Sequence, residues 1–309
     1  MNDPRVVMVV NPAAAGGRSG RGRERLTWEA RRIGLELEPL VTSAPGEATT
    51  LTRDALRGGA QLVIAVGGDG TVSDVVNGFF DGDERVAPDA ELAIVPSGSG
   101  CDFARTFGIS RRPAAALEVA ARGRVRTIDV GRASFTGHDG SPSLRHFVNV
   151  ASAGLTGTTA DRINRGGKPL GATVAYAWGA LRTFASYRNA PMRIEIDDRV
   201  LDLVSNNVIV ANGRYFASGM RILPDASPDD GLFDVLVWGD VSRGDLIRNL
   251  HRLYRGTHTG HPKASISRGR RVSIAPRSPL PIETDGETPG VTPVVFDVVP
   301  AALRLRVPT

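Results

Sequence analysis

The chain has 309 residues, of which 41% are apolar and 23% charged, and its formal net charge is +5. This length favours two domains, and the composition is typical of a globular protein. No apolar run reaches the ~18 residues that a membrane-spanning helix needs, so no such helix is predicted. Cys101 is the only cysteine, which excludes an internal disulfide and favours a cytoplasmic protein.

The basic residues are almost all arginine and outnumber the acidic ones, which favours an anionic partner. A nucleotide and an anionic membrane both fit this charge, and an arginine bias over a solvated surface is the alternative. The sequence contains no zinc-ligand spacing, no aromatic RNA-binding motif and no long basic tract. No nucleic-acid partner is therefore predicted.

Residues 1–126 alternate strand and helix patterns. This alternation predicts a doubly wound α/β domain, in which ligands bind at the carboxyl ends of the strands. The predicted strands are Arg5–Val10, Glu36–Val41, Leu62–Ala65 and Glu91–Val95, and the predicted helices are Gly22–Ile33, Glu47–Arg57, Val72–Phe80 and Pro113–Arg122.

Residues 127–287 carry shorter strand patterns and predict a β-rich, sandwich-like second domain. Helices are predicted over Ala172–Ser186 and Arg243–Arg255, and residues 288–309, with a strand at Val294–Val307, are predicted to return to the first domain. The apolar stripe of Ala172–Ser186 could contact lipid or belong to the core. The predicted strands are Thr127–Val130, His146–Ala151, Met192–Ile196, Val208–Ala211, Phe233–Trp238, Arg271–Ile274 and Pro281–Glu283.

The stretch from Leu62 to Phe79 combines a buried strand, a glycine turn and the start of a helix. Glycines let backbone N–H groups approach an anion, and the N-terminus of a helix adds a positive dipole. Asp69 is out of place in a simple anion site, so the turn Gly67–Thr71 predicts phosphate handling with a metal or a reacting hydroxyl nearby. The alternative is that Asp69 caps the helix.

The other predicted strands also end in loops that suit a ligand. Asn11–Gly17 resembles a phosphate-facing loop, although an ordinary turn fits too, and it matches neither the P-loop nor the dinucleotide fingerprint. Thr42–Gly46 follows the second strand. Pro96–Asp102 offers hydroxyls and uncovered amides. Arginines at the next helix start could contact phosphates or form a solvated face: Arg18, Arg21, Arg23 and Arg25.

Three further features each allow two interpretations. Asp102 could act in a site or cap a helix, and Cys101 is interpreted as a small packed residue rather than a nucleophile. The acidic stretch Pro224–Asp234 suits a hard cation or a polar hairpin loop. The segment Asp285-Gly286-Glu287 could present a general base or form a β-turn.

These motifs together resemble one family. The chain is similar, over essentially its whole length, to the diacylglycerol kinase catalytic-domain family, and more narrowly to its soluble bacterial lipid kinases, which are relatives of sphingosine and ceramide kinases. The motif Gly67–Thr71 alone is shared with NAD kinases and loosely with phosphofructokinases, whereas the Asp-Gly-Glu segment favours lipid kinases. The motifs, in family order, are Val10-Asn11-Pro12 with Gly16-Gly17, Gly67–Thr71 with Val76-Asn77-Gly78, Pro96–Arg105, Asp230-Gly231-Leu232 with Asp234-Val235, and Asp285-Gly286-Glu287.

The resemblance implies an α/β nucleotide domain of the NAD kinase and phosphofructokinase type, a β-rich sandwich-like domain, and an active site in the cleft. It implies an ATP-dependent kinase that phosphorylates a lipid hydroxyl, with diacylglycerol as the first choice, in phospholipid biosynthesis. Such an enzyme would act peripherally at an anionic membrane, and a homodimer is an arrangement that stays open.

The resemblance also assigns roles to single residues. Glu287 would accept the proton of the lipid hydroxyl. Asp69, Asp102 and Asp285 would form a carboxylate and water network around a catalytic Mg²⁺. The ATP site would be lined by Asn11, Pro12, Ala13, Ala14, Ala15, Thr42, Gly67, Gly68, Asp69, Gly70, Thr71, Val72, Ser73 and Ser99.

A second, structural Mg²⁺ would be held by Asp230 with the carbonyl groups of Ser227 and Leu232. The chain departs from the family pattern at Cys101, where the family has asparagine, so an amide that donates and accepts hydrogen bonds is missing. The alternatives are a NAD kinase-like enzyme for small molecules and a catalytically silent protein that binds lipid or nucleotide.

Overall fold

The structure, a computed structural model, describes residues 4–12, 22–98, 100–165, 182–184 and 186–309. The chain divides into two compact units. The first comprises Met1–Val130 and Pro300–Thr309, and the second comprises Gly131–Val299.

The first unit is built on a parallel sheet. Its strand order is β2–β1–β3–β6, followed by the C-terminal part of β17 alongside β6. The strands are β1 (Val6–Val10), β2 (Glu38–Val41), β3 (Leu62–Gly67), β6 (Glu91–Pro96) and β17 (Gly290–Val307), with a small hairpin of β4 (Phe80–Asp81) and β5 (Glu84–Arg85). The helices are α1 (Arg23–Arg32), α2 (Glu47–Arg57), α3 (Asp69–Gly78), α4 (Asp102–Thr106) and α5 (Pro113–Arg122).

The central strands β1 and β3 are buried along their whole length. Helices cover both faces of a parallel sheet in this fold class, so central strands become continuous apolar runs, and this made them predictable. The predicted bounds of α2 and α5 match the structure. Helix α3 begins at Asp69, three residues before the predicted Val72, because Gly68 has the extended backbone of a residue that precedes a helix.

The second unit contains two antiparallel sheets. One has the order β14–β13–β12–β9–β16, and the other contains β11–β10–β15 beside the N-terminal part of β17, with β7 and β8 attached. The strands are β7 (Arg124–Gly137), β8 (Pro142–Phe147), β9 (Val150–Gly154), β10 (Ala190–Ile196), β11 (Arg199–Ser205), β12 (Asn207–Ala211), β13 (Phe233–Trp238), β14 (Ala264–Gly269), β15 (Arg271–Pro276) and β16 (Ile282–Thr284). The helices with defined bounds are α6 (Leu155–Arg165) and α7 (Arg243–Arg255).

Side chains from both sheets form the main core of this unit. Phe147 contacts Phe233 and Phe296 at ring-centroid distances of 5.6 and 5.7 Å, so aromatic packing joins the two layers. A second apolar layer lies on the other face of the first sheet, where Leu246 and Leu253 of α7 pack. This arrangement is the predicted sandwich.

One predicted strand is wrong as a continuous element. The pattern of His146–Ala151 predicted a single strand, but β8 ends at Phe147 and β9 begins at Val150. The backbone N–H groups of Val148 and Asn149 donate hydrogen bonds to the side-chain carboxylate of Asp285 instead of to a neighbouring strand. A tertiary hydrogen bond therefore interrupts the strand, and the local sequence pattern carries no sign of it.

Strands β11 and β14 and helix α6 were not predicted. The predicted helix Ala172–Ser186 lies largely outside the described residues. Within the described residues, no helix has both the length and the apolar character needed to cross a membrane.

Candidate active site

The loops after four strands of the first unit meet at one edge of its sheet. The N–H of Thr42 donates to the carbonyl of Val10 at 3.0 Å, and the N–H of Ser97 donates to the carbonyl of Gly67 at 2.8 Å. The N–H of Asn11 lies 3.4 Å from the carbonyl of Val66. The ends of β1, β2, β3 and β6 are therefore neighbours, as the alternating pattern predicted.

Two glycines are required by close contacts in these loops. A Cβ atom on Gly98 would lie 2.7 Å from the Cα of Gly68, and a Cβ atom on Gly67 would lie 2.3 Å from Oγ1 of Thr71. A side chain at Gly98 would separate the loops after β3 and β6, and one at Gly67 would clash with the first turn of α3. The glycines thus bring two backbone segments together at the start of α3.

Asp69 is the first residue of α3 and does not cap it, because Gly68 is the N-cap. Its carboxylate accepts the backbone N–H of Phe103 at 3.2 Å, in the first turn of α4. Asp102 begins α4, is buried, and has an oxygen 3.7 Å from Nε of Arg105. The structure therefore places the first turn of α4, which Asp102 begins, against Asp69.

Cys101 directly precedes Asp102 and is buried, and the charges of Asp69 and Asp102 both act on its thiol. Burial raises the pKa of its thiol, and the Asp69 carboxylate acts in the same direction. The residue therefore stays a neutral thiol near neutral pH, which agrees with a packed side chain rather than a nucleophile. Its φ of +53° lies in the left-handed region, where asparagine is more at home than cysteine.

The other residues predicted to contact the nucleotide differ in their burial and in the groups they contact. Ser73 is completely buried within α3, and Thr71 and Val72 are buried beside it. Arg25 pairs with Glu29 within α1, which fits a solvated helix face. Arg111, which sequence reasoning did not single out, donates to the carbonyl of Gly98. Eight predicted residues lie outside the described residues: Ala13, Ala14, Ala15, Gly16, Gly17, Arg18, Arg21 and Ser99.

In the second unit, Asp285 and Gly286 form the two-residue turn of a hairpin. Their φ angles are +50° and +90°, and Thr284 and Glu287 exchange backbone hydrogen bonds of 2.9 and 3.0 Å. Two consecutive positive φ values are those of a type I′ turn, for which Asp-Gly is a preferred sequence. The turn leaves the Glu287 side chain exposed.

Asp285 itself points inward. Its carboxylate accepts the N–H groups of Val148, Asn149 and Val150 at 2.9, 3.0 and 3.1 Å. Burial nevertheless raises its pKa to about 6, and the three hydrogen bonds oppose that shift. Asp285 therefore anchors the turn to the start of β9.

Glu283 is a buried carboxyl that sequence reasoning missed. It accepts the hydroxyl of Ser152 at 2.7 Å and the N–H of Gly286 at 2.9 Å. Burial raises its pKa to about 7. The available signal was a carboxylate in the predicted strand Pro281–Glu283, next to the apolar Ile282, where burial of the side chain could be expected.

An arginine pairs with two carboxylates of the acidic stretch Pro224–Asp234. Arg268 pairs with Asp230 and lies 3.5 Å from Asp234. Burial raises the pKa of Asp234, Arg268 opposes this shift, and the charge of Asp230 adds to it. The N–H of Leu232 donates to Asp230 at 3.1 Å, and the Ser227 hydroxyl donates to Asp229 at 2.8 Å.

The described residues contain no group of three or more His, Cys, Asp or Glu side chains with metal-site geometry. One buried atom still favours a cation. Oδ2 of Asp234 is buried and accepts no hydrogen bond from the residues that the structure describes. Oxygen donors of this kind suit Mg²⁺, although a cation at Asp230 would compete with Arg268.

Family models match both units of the chain. The diacylglycerol kinase catalytic domain matches residues 5–133, and the YegS C-terminal NAD kinase beta sandwich-like domain matches residues 149–307. The chain belongs to the diacylglycerol kinase catalytic-domain family. The predicted family, fold class and kinase activity with an alcohol acceptor are therefore confirmed.

Bacterial diacylglycerol kinases are similar in sequence to this chain over nearly its whole length. A diacylglycerol kinase of Mycobacterium tuberculosis is 28% identical over 308 residues, which is 98% of this chain and 95% of that protein. A diacylglycerol kinase of Bacillus subtilis is 26% identical over 294 residues, covering 94% and 92%.

Solved structures show the same fold. A putative diacylglycerol kinase from Bacillus anthracis has a TM-score of 0.76 at 24% identity and covers 98% of this chain and 97% of its own. Yeast NADH kinase, solved with NADH, has a TM-score of 0.51 at 13% identity and covers 100% and 85%. The second likeness agrees with the NAD kinase type of fold implied by the glycine motif.

Proposed function

We propose that this kinase transfers the γ-phosphoryl group of ATP to the hydroxyl of diacylglycerol. The observation that carries the proposal is the catalytic-domain match over residues 5–133 together with relatives named diacylglycerol kinase along the whole chain. Phosphoryl transfer needs positioning and charge neutralisation more than covalent chemistry. The residues described above suit both needs.

The first unit is proposed to bind ATP at the strand ends. Gly68 and Gly98 bring the loops after β3 and β6 together without side chains between them. Backbone N–H groups of both loops would contact the phosphates there, and the first turn of α3 would add its dipole. The proposed contacts remain Asn11, Pro12, Ala13, Ala14, Ala15, Thr42, Gly67, Gly68, Asp69, Gly70, Thr71, Val72, Ser73 and Ser99.

Mg²⁺ is proposed as the cation of the reaction, with Asp69, Asp102 and Asp285 as the carboxylates around it. When bound, Mg²⁺ neutralises charge on the phosphate oxygens. Asp69 suits this role because its carboxylate is fixed by the N–H of Phe103 without an arginine partner in the described residues. A second cation is proposed at Asp230, with the carbonyls of Ser227 and Leu232, in competition with Arg268.

Glu287 is proposed as the proton acceptor. Its side chain is exposed at the end of the type I′ turn, where an incoming hydroxyl can reach it. Glu287 takes the proton, the hydroxyl oxygen forms a bond to the γ-phosphorus, and the bond from that phosphorus to ADP breaks. Asp285 and Glu283 hold the turn that carries Glu287.

The proposal is tested by incubating the protein and radiolabelled ATP with diacylglycerol, other lipid alcohols, NAD or no acceptor. Label on diacylglycerol is expected. Label on NAD alone would show a NAD kinase-like enzyme, and ATP binding without transfer to any acceptor would show a silent binding protein. We also propose that the enzyme acts peripherally at an anionic membrane. Sedimentation with anionic vesicles tests this association, and sedimentation without vesicles tests whether the chain forms a homodimer.

A further inference from the structure

Helix α7 carries apolar side chains on two sides. Leu246 and Leu253 pack inward on the apolar layer of the second unit. Ile247, Leu250 and Tyr254 point outward and are 65%, 48% and 51% exposed. They follow one another at spacings of three and four residues, so they form one stripe, which we call the outer face of α7.

The same helix is strongly cationic. Its four arginines are all exposed, and its one acidic residue, Asp245, is engaged by the hydroxyl of Ser242 at 2.8 Å and by Arg248 at 3.2 Å. Asp245 therefore offsets the charge of Arg248, and the other three arginines that border the outer face form no ion pair with an acidic residue of the helix. The arginines are Arg243, Arg248, Arg252 and Arg255.

Apolar exposure elsewhere in the described residues lacks this combination. Val200 and Val204, exposed at 46% and 40%, lie on the short strand β11. Trp28 is a single exposed large apolar side chain on α1, where Glu24 and Glu29 pair with arginines of the same helix. An apolar stripe alone would also suit a protein partner. The adjacent arginines favour an anionic partner, and an interfacial helix with apolar and cationic residues is the kind that binds anionic bilayers.

We propose that the outer face of α7 docks on an anionic lipid bilayer. Ile247 and Leu250 enter the boundary between headgroups and acyl chains, Tyr254 lies at the interface, and the arginines contact the headgroup phosphates. The inference rests on the proposed function, because a kinase for a lipid hydroxyl needs access to a membrane that contains its acceptor.

The test measures binding of the full chain to vesicles by flotation. Vesicles of phosphatidylglycerol and phosphatidylcholine are compared with vesicles of phosphatidylcholine alone. Wild type is expected to bind the anionic vesicles, and less at high salt because exposed charges are screened. I247S/Y254S is expected to weaken binding at least about tenfold through lost apolar insertion, and R248Q/R252Q about tenfold through lost attraction.

V200S/V204S is the matched control, because it removes two exposed apolar side chains from another surface, and its binding is expected to equal that of wild type. Each variant is checked by circular dichroism and thermal unfolding. Phosphorylation of a short-chain acceptor in detergent micelles is expected to be the same in all four proteins, because docking is not needed there. If wild type does not phosphorylate the short-chain acceptor, the proposed function is contradicted, and the measurement of vesicle binding is unaffected.

Three results would overturn the docking proposal. Wild type could fail to bind anionic vesicles. Both α7 variants could bind as tightly as wild type. I247S/Y254S could convert a dimer to a monomer while vesicle binding stays unchanged, which would assign the outer face to a second copy of the chain.

Discussion

Asp69 and Phe103 are joined by a hydrogen bond of 3.2 Å, from the backbone N–H of Phe103 to the carboxylate of Asp69. This bond connects the starts of two helices that follow different strands. It fixes the carboxylate through one oxygen. The other oxygen can then bind the proposed cation. A mutation can therefore remove the charge of the side chain and still keep the oxygen that accepts the Phe103 N–H.

Asp69→Asn keeps an oxygen for the Phe103 N–H but removes the charge. We expect the free energy of unfolding to change by less than about 1 kcal/mol and turnover to fall about 100-fold or more. Asp69→Ala should lose similar turnover and a further ~1–2 kcal/mol, because a buried N–H is left without its acceptor. Urea unfolding and the ATP assay measure the two effects, and equal stability of the two variants would contradict the role of the bond.

Glu287→Gln is expected to retain the fold and ATP affinity while turnover falls about 10²- to 10⁴-fold, because the amide cannot accept the proton. Its turn is held by backbone bonds to Thr284, which the substitution leaves intact. Glu84→Gln, at an exposed position in the first unit, is the control. Wild-type turnover in Glu287→Gln would assign the base elsewhere.

Glu283 should make stability depend on pH. Its pKa is about 7 in the fold against a reference of 4.5, so the folded protein binds an extra proton between these values. The contribution of Glu283 to stability is therefore fully present below pH 4.5 and falls by about 3 kcal/mol as pH rises through 7. Asp285, with its pKa raised to about 6, acts in the same direction.

In Glu283→Gln the side chain resembles the protonated acid and does not titrate. We expect urea unfolding in EDTA to show a smaller loss of stability between pH 5 and pH 8 than in wild type. The Asp285 charge raises the pKa of Glu283, so the difference between the two profiles measures Glu283 together with its interaction with Asp285. Parallel pH profiles would show that Glu283 does not titrate as assigned.

Arg268 and the proposed second cation should compete for Asp230. Without Mg²⁺, Arg268→Gln is expected to lower stability by about 0.5–1 kcal/mol, because the pair is partly exposed and Asp230 and Asp234 are left to repel each other. Millimolar Mg²⁺ should then raise the melting temperature more in Arg268→Gln than in wild type. Asp230→Asn should abolish the increase, and an increase that survives this change would place the cation elsewhere.

Cys101 should tolerate a smaller side chain better than a branched one. Cys101→Ala is expected to keep turnover, since the thiol is neutral and buried. Cys101→Val should cost about 1–2 kcal/mol despite its apolar character, because a β-branched residue fits poorly at φ +53°. Thermal unfolding with the ATP assay distinguishes the two, and loss of turnover in Cys101→Ala would reopen a chemical role for the thiol.

Much of the fold could be predicted from local patterns. Strands β1 and β3 are apolar runs because both faces of the sheet are covered, and α2, α5 and α7 begin and end where periodicity and turn residues indicate. The Asp-Gly sequence at Asp285 predicted a turn because few residues accept two positive φ angles. Such features depend on neighbours within a few residues, so the sequence carries them directly.

Features that depend on contacts between residues far apart in the sequence were decided only by the tertiary structure. The break before Val150 exists because Asp285, 135 residues later, takes three backbone N–H groups. The burial of Glu283 and the pairing of Arg268 with Asp230 also depend on strands distant in sequence. The motif Gly67–Thr71 by itself predicted phosphate chemistry, because the backbone freedom of its glycines and the start of the helix depend only on the local sequence. What Asp69 contacts was decided only when α4 packed beside it.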